Sequence, residues 1–291
     1  MFTIDPALGW KLSPGKVVRH RTRYFDMRYS INSMGFRDSL RKTANPLDKE
    51  RVLLLGDSQI FGWGVPAGDR ISNLIEAQHP SLEMWNMAVP GYGLDQEIIS
   101  YDRNGGSLGA TGLILFVSTN IISRTRSDFI FNKPKPKFTL DSAGGLVLAS
   151  PKANVSAFTD VVYRLLSPFY LPYFVDTQLK RIRDGRRPQR EGREATTPVG
   201  PEGIRLTEAL LLRAKSLADG RNHSLLVLAE LPPPSMKTLK EFADRNGIAI
   251  VPTPWTSAPP PLVFGTYDGH WNARGDAVVA GQLALAMYSR K

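Results

Sequence analysis

The chain has 291 residues, 42% of them hydrophobic and 22% charged, which is enough apolar material to bury a sizeable core. It contains no cysteine, and this excludes disulfide scaffolds, zinc–thiolate centres, iron–sulfur clusters and cysteine nucleophiles. The formal net charge of +10 raises the question of an acidic partner. No apolar run approaches the roughly 18 residues of a membrane helix, so no transmembrane segment is expected. The opening MFTIDPALGW has no signal-peptide hydrophobic stretch. These features predict a cytoplasmic protein, or a periplasmic or exported one if an upstream signal or anchor was removed.

Residues 1–50 carry the turn signals Asp5-Pro6, Ser13-Pro14-Gly15 and Asn45-Pro46, and read as an extended segment packed on a core. From 51 the pattern alternates between short apolar runs and helical periodicity. A strand is predicted over 51–56 and a helix over 67–78, with Ile71, Leu74 and Ile75 on one face. A second strand over 82–87 is followed by a helix over 94–103 that turns Leu94, Ile98 and Ile99 inward, then a third strand over 113–117. The periodicity breaks between about 121 and 203, which is rich in Pro, Gly and charge with one apolar patch over 161–175. This reads as a basic insertion. Order resumes with a helix over 206–218 closed by Gly220 as a left-handed cap. A strand over 224–229, a helix over 235–246 ending at Gly247, a strand over 248–251 and a last helix over 273–288 complete the chain. The predicted fold class is α/β: a flavodoxin-like, doubly wound sheet of about five parallel strands spanning 51–291, with the insertion after the third strand.

Much of the positive charge falls in the insertion. Lys133, Lys135 and Lys137 alternate with prolines, and Lys180, Arg181, Arg183, Arg186, Arg187, Arg190 and Arg193 form one run. No stacking aromatics are interleaved with the latter and no nucleic-acid motif accompanies them, so these residues read as solvated surface beside the substrate entrance. A polyanionic substrate such as an acidic glycan fits the same charge.

In a doubly wound sheet, ligands bind beyond the carboxyl ends of the strands, near the switch between the first and third. The segments after those ends are Gly56-Asp57-Ser58, Asn86 to Gly93, Ser118-Thr119-Asn120 and, before the last helix, Tyr267 to Asn272. Together they supply what acyl transfer through a serine ester requires. Ser58 is the nucleophile, His270 takes its proton, and Asp268, two residues earlier in the same loop, orients the imidazole. The Ser58 and Gly91 N–H groups and the Asn120 amide donate to an oxyanion. Each residue alone has an ordinary structural reading: Ser58 as a helix cap, Gly91 as part of a Pro-Gly turn, Asn120 as a strand end, His270 as a packed ring beside Trp271. The order and placement of all four segments favour the catalytic reading. Asp57 reads as structural, accepting turn N–H groups, and Trp63 and Tyr92 read as packing.

Two competing sites fail on spacing. Gly62-Trp63-Gly64-Val65-Pro66-Ala67 satisfies a dinucleotide pattern formally, but it begins well past the first strand and is interrupted by Pro66. The four histidines (His20, His79, His223 and His270) show no ligand spacing, so neither a metal nor a cofactor is expected.

The four segments resemble the motif blocks of the SGNH (GDSL-type) hydrolase superfamily. The blocks that carry this are Gly56-Asp57-Ser58, Gly91, Asn120 and the final Asp268 and His270. Asp5 to Trp10, Ile31 to Asp38, Gly56 to Gly64 and Asp268 to Asn272 further resemble bacterial SGNH-like proteins linked to carbohydrate O-acetylation. The resemblance implies the SGNH hydrolase fold and places the family's Ser, Gly, Asn and His roles on Ser58, Gly91, Asn120 and His270. It is weak across 121–203. Two departures stand out. Many members have Asp-x-x-His where this chain has Asp268-x-His270, a spacing similar to alginate-acetylation relatives, and Ile121 follows Asn120 where an Asp is common.

The implied function is a serine esterase that removes acetyl or other acyl groups from carbohydrate or small-molecule hydroxyls. The alternative is a carbohydrate O-acetyltransferase using the same Ser-His-Asp site, and a further one is a non-catalytic binding or assembly protein of the same fold. No nucleic acid is expected as partner, and no transmembrane segment.

Overall fold

The computed structural model describes residues 1–41, 48–131, 133–151, 199–253, 261–265 and 268–289. The chain begins with two antiparallel hairpins, β1 (Phe2–Asp5) with β2 (Gly9–Leu12), and β3 (Val17–Arg21) with β4 (Asp26–Ser30). The first is fastened to the rest of the molecule by specific bonds. The Trp10 indole donates to the Pro90 carbonyl at 3.2 Å, the Tyr92 hydroxyl to the Trp10 carbonyl at 2.6 Å, and the Gln96 amide to the Leu8 carbonyl at 2.8 Å.

The central sheet has five parallel strands: β5 (Glu50–Leu55), β6 (Leu82–Asn86), β7 (Gly112–Ser118), β12 (Ser224–Glu230) and β13 (Ala249–Pro252). Their spatial order is β6-β5-β7-β12-β13, so the sheet is doubly wound with its switch between β5 and β7. β5 from Val52 onward and β7 are continuous apolar runs because both of their faces are covered, the normal condition of parallel strands. The chain turns into a one-turn helix α1 (Ser58–Phe61) after β5, then into α2 (Ile71–Gln78). α3 (Leu94–Asn104) precedes β7, and α4 (Thr119–Thr125) follows it. Two small hairpins come next, β8 (Phe129–Ile130) with β9 (Lys133–Pro134), and β10 (Lys137–Leu140) with β11 (Leu146–Ala149). α5 (Pro201–Asp219) and α6 (Pro233–Arg245) flank β12. A last hairpin, β14 (Val263–Gly265) with β15 (Asp268–Trp271), leads into α7 (Ala273–Tyr288). α2 packs against α7, while α3, α4 and α5 form a second group with α6 beside α5. Among the described residues no helix is long and apolar enough to cross a membrane.

Four local readings need correction. The helix expected over 67–78 is two pieces: a 3-10 turn at Ala67–Asp69 and α2 from Ile71, with Arg70 extended between them. Gly220 does not take the left-handed cap, since its φ is −64° and Asn222 at φ 55° adopts that conformation instead. The positions of Asp268 and His270 belong to a short antiparallel strand and not to a loop. Lys135 is not solvated. Its ammonium is buried in an ion pair with Asp95 and also donates to the carbonyls of Ser127 at 3.0 Å and Pro136 at 2.7 Å, which offsets part of the cost of burying the charge. The apolar patch over 161–175 and the basic run from Lys180 to Arg193 lie outside the described residues.

Candidate active site

β5 delivers Ser58 to the carboxyl edge of the sheet through an abrupt strand-to-helix turn. Gly56 makes that turn possible, because a Cβ there would meet Ile60 at 2.4 Å and Phe116 at 3.1 Å. Asp57 is the N-cap of α1: its Oδ1 accepts the Gln59 N–H at 2.9 Å, and its Oδ2 pairs with Arg124 of α4 at 2.5 Å. The structural reading of Asp57 therefore holds, with Arg124 as a partner that the sequence did not indicate. Ser58 is buried and, as the first residue of the helix, its N–H has no intrahelical acceptor.

The β14–β15 hairpin brings His270 over Ser58. His270 Nε2 lies 2.8 Å from Ser58 Oγ, and His270 Nδ1 lies 2.7 Å from Asp268 Oδ1. The same Asp268 oxygen accepts the backbone N–H of His270 at 3.1 Å, so residues spaced by two along one strand still meet. Burial works to raise the Asp268 pKa, but the bonds and charge supplied by His270 outweigh it and hold the carboxyl below its ordinary range. Gln59, next to Ser58, ties the hairpin in register. Its amide donates to the Gly269 carbonyl at 3.2 Å and its oxygen accepts the Trp271 N–H at 2.8 Å. Sequence reasoning missed this residue, although its place beside Ser58 was the available signal.

Gly91 follows β6 in a Val89-Pro90-Gly91-Tyr92 turn closed by the Tyr92 N–H on the Val89 carbonyl at 3.2 Å. Its φ of +87° suits glycine, and a Cβ would strike the Phe131 ring at 2.7 Å. Asn120 lies not at a strand end but in the first turn of α4, whose cap is Ser118. Among the described residues, neither the Gly91 N–H nor the Asn120 side chain is used in a hydrogen bond. Tyr92 is buried against Trp10, as expected of a packing residue, with ring centroids 5.7 Å apart. Trp63 is half-buried and stacks on His270, with ring centroids 5.6 Å apart and 28° between the planes. Tyr267 lies outside the described residues. Among those described, no group of three or more His, Asp or Glu side chains could hold a metal ion.

No family model matches the chain, and no curated protein matches it. Among solved structures it is similar to a member of the lipolytic protein G-D-S-L family from Veillonella parvula, at 14% identity over 83% of this chain and 100% of that one, with a TM-score of 0.46. It is also similar to the psychrotrophic esterase EstA from Pseudoalteromonas sp., at 7% identity over 83% and 98% of the two chains and a TM-score of 0.45. A GDSL-like lipase from Bacteroides thetaiotaomicron is similar at 11% identity over 86% and 93%, with a TM-score of 0.44.

Proposed function

We propose that the protein is a serine esterase of SGNH type that removes acetyl or other short acyl groups from a carbohydrate or small-molecule hydroxyl. The observation that carries this reading is the unbroken series from Asp268 through His270 to Ser58, at 2.7 Å and 2.8 Å. A serine hydroxyl is a poor nucleophile at neutral pH unless a base stands within hydrogen-bond reach. In this reading Ser58 Oγ attacks the ester carbonyl while His270 Nε2 takes its proton. The carbonyl oxygen becomes an oxyanion that accepts from the Ser58 N–H, the Gly91 N–H and the Asn120 amide. Collapse expels the alcohol, which takes the proton back from His270 and leaves an acyl-serine. Water, activated by the same imidazole, then releases the acid. Asp268 holds the Nδ1–H tautomer and offsets the imidazolium charge in both halves.

Product analysis with an acetyl donor tests the reading. Released acetate, dependent on Ser58 whether or not glycans are added, supports the esterase. Acetyl groups appearing on the glycan in place of free acetate would make the chain a transferase, and no turnover in either form would leave the esterase reading without support.

A further inference from the structure

The β3–β4 hairpin has two unlike faces. Arg19, Arg21, Asp26 and Arg28 are exposed, whereas Val18, His20, Met27 and Tyr29 turn toward the molecule. The Tyr29 hydroxyl is buried and accepts the Gly64 N–H at 2.9 Å. A phenol carries one proton, and its other partner is His20 Nδ1 at 3.1 Å. Among the described residues the Tyr29 proton has no other acceptor, so it goes to Nδ1, and the neutral His20 ring is then the Nε2–H tautomer. Burial, helped by the charge of His270, lowers the His20 pKa against the pull of Asp268 and so favours the neutral ring. Among the described residues no hydrogen bond uses His20 Nε2.

His20 stands one ring away from the reactive pair. It packs edge-on to Trp63 with centroids 4.4 Å apart, and Trp63 is the ring that stacks on His270. Phe25 holds its other side, with centroids 4.9 Å apart. The sidedness of the proposed reaction gives this placement a meaning. The oxyanion forms toward Gly91 and Asn120, after β6 and β7, whereas His270 hands its proton to the departing alcohol. His20 shares the Trp63 ring with His270, which assigns it to the alcohol side.

We propose that His20 is a specificity residue for the alcohol half of the ester, its Nε2–H donating to an oxygen on the carbon adjacent to the one that bears the acyl group. Esters of vicinal polyols are then the preferred substrates. This inference rests on the esterase reading above.

The test compares 2-hydroxyethyl acetate with propyl acetate, two esters of nearly equal size, after correction for their rates in alkali. The wild-type protein favours the hydroxyethyl ester by about 5- to 10-fold in kcat/KM, the worth of one neutral hydrogen bond, and the difference lies in KM. His20→Phe keeps a ring against Trp63 without the N–H and brings the two esters to parity, while His20→Gln retains a donor and part of the preference. Parity in the wild type, or an unchanged ratio in His20→Phe, overturns the proposal. So does an Nδ1–H tautomer for His20 in long-range proton–nitrogen spectra of the wild-type protein, a readout that needs no variant to fold. A fluorophosphonate probe separates the two levels. Ser58 labelled together with parity between the esters removes the role of His20 alone, and Ser58 unlabelled removes the esterase reading with it.

Discussion

Arg37 donates to the Gly62 carbonyl at 2.5 Å, and the same guanidinium reaches the carbonyls of Phe61 at 3.0 Å and Val65 at 2.6 Å. Gly62 closes α1 in the left-handed conformation, so a residue of the N-terminal segment fixes the turn that follows Ser58 and carries Trp63. Burial, then the charge of Arg70, lowers the Arg37 pKa to about 9, which leaves it charged at neutral pH. Arg37→Met strands three inward carbonyls and is expected to cost about 3–5 kcal/mol in urea unfolding. Arg37→Lys keeps the charge but cannot reach all three acceptors at once, and should recover less than half of that loss. A loss under about 1 kcal/mol would mean that water replaces the guanidinium.

The ion pair of Lys135 with Asp95 pins the segment between β9 and β10 to the start of α3, with no solvent exposure on either side chain. Burial raises the Asp95 pKa to about 6 even with Lys135 beside it. Lys135→Met leaves that carboxyl without its cation and should destabilise the protein by about 3–5 kcal/mol. The double variant Lys135→Met with Asp95→Asn should recover most of the loss, because the uncompensated charge is gone. Equal losses in the single and double variants would show that the lysine matters only through its carbonyl contacts.

The legible parts of this chain are those with local signatures. Buried parallel strands are short apolar runs, and β5, β7, β12 and β13 lie where such runs occur, while β6 is mostly apolar with Glu83 inside it. Ser58, Asp268 and His270 could be placed at one edge because the topology dictates which ends of the strands share it. The parts that were not legible depend on distant partners. Nothing local distinguishes Lys135 from Lys133 or Lys137, yet among the described residues only Lys135 of the three finds a buried carboxylate. His20 sits in an alternating basic stretch, and its nearness to Trp63 and His270 follows from how the hairpin docks. The Gly220 cap failed for a similar reason: the turn continued until Asn222 took the left-handed conformation.

Asn120 is expected to act in the transition state. Its side chain makes no hydrogen bond among the described residues and lies in the first turn of α4, beside the switch between β5 and β7. Asn120→Ala should lower kcat by roughly 100- to 1000-fold with little change in KM, the usual loss for one oxyanion donor. An unaltered kcat would return Asn120 to a purely structural role.

Glu230, at the end of β12, gives a pH dependence of stability. Burial, and next the negative charge of Asp57, raise its pKa to about 8, with the Trp271 indole acting in the opposite sense. A carboxyl whose folded pKa lies above its unfolded value stabilises the fold fully at pH below the unfolded value. That contribution is lost as pH rises through the folded one. Stability should therefore decline between about pH 5 and pH 8 relative to Glu230→Gln. The residue as a whole is of intermediate burial, so solvent limits the effect to about 1–3 kcal/mol. Parallel stability–pH curves for wild type and Glu230→Gln would show that the carboxyl is equally at ease in both states.

Ser58, His270 and Asp268 should separate cleanly in a labelling experiment, because each acts on a different atom. A fluorophosphonate is attacked only by an activated hydroxyl, so the probe is expected on Ser58 and on no other serine. His270→Ala removes the acceptor of the Ser58 proton and should abolish labelling together with ester turnover. Asp268→Asn is more informative. The amide oxygen can still accept the backbone N–H that the carboxylate takes at 3.1 Å, so the strand should keep its shape. What disappears is the negative charge 2.7 Å from Nδ1, which in the proposed reaction offsets the imidazolium formed while the proton is on His270. The expected result is a protein of nearly wild-type stability whose kcat falls by roughly 100- to 10,000-fold without reaching zero. Exogenous small acids should not restore it, since the lost element is a fixed charge and not a proton donor. Full activity in Asp268→Asn would make the short strand spacing a structural feature only, and full activity in Ser58→Ala would remove the acyl-serine altogether.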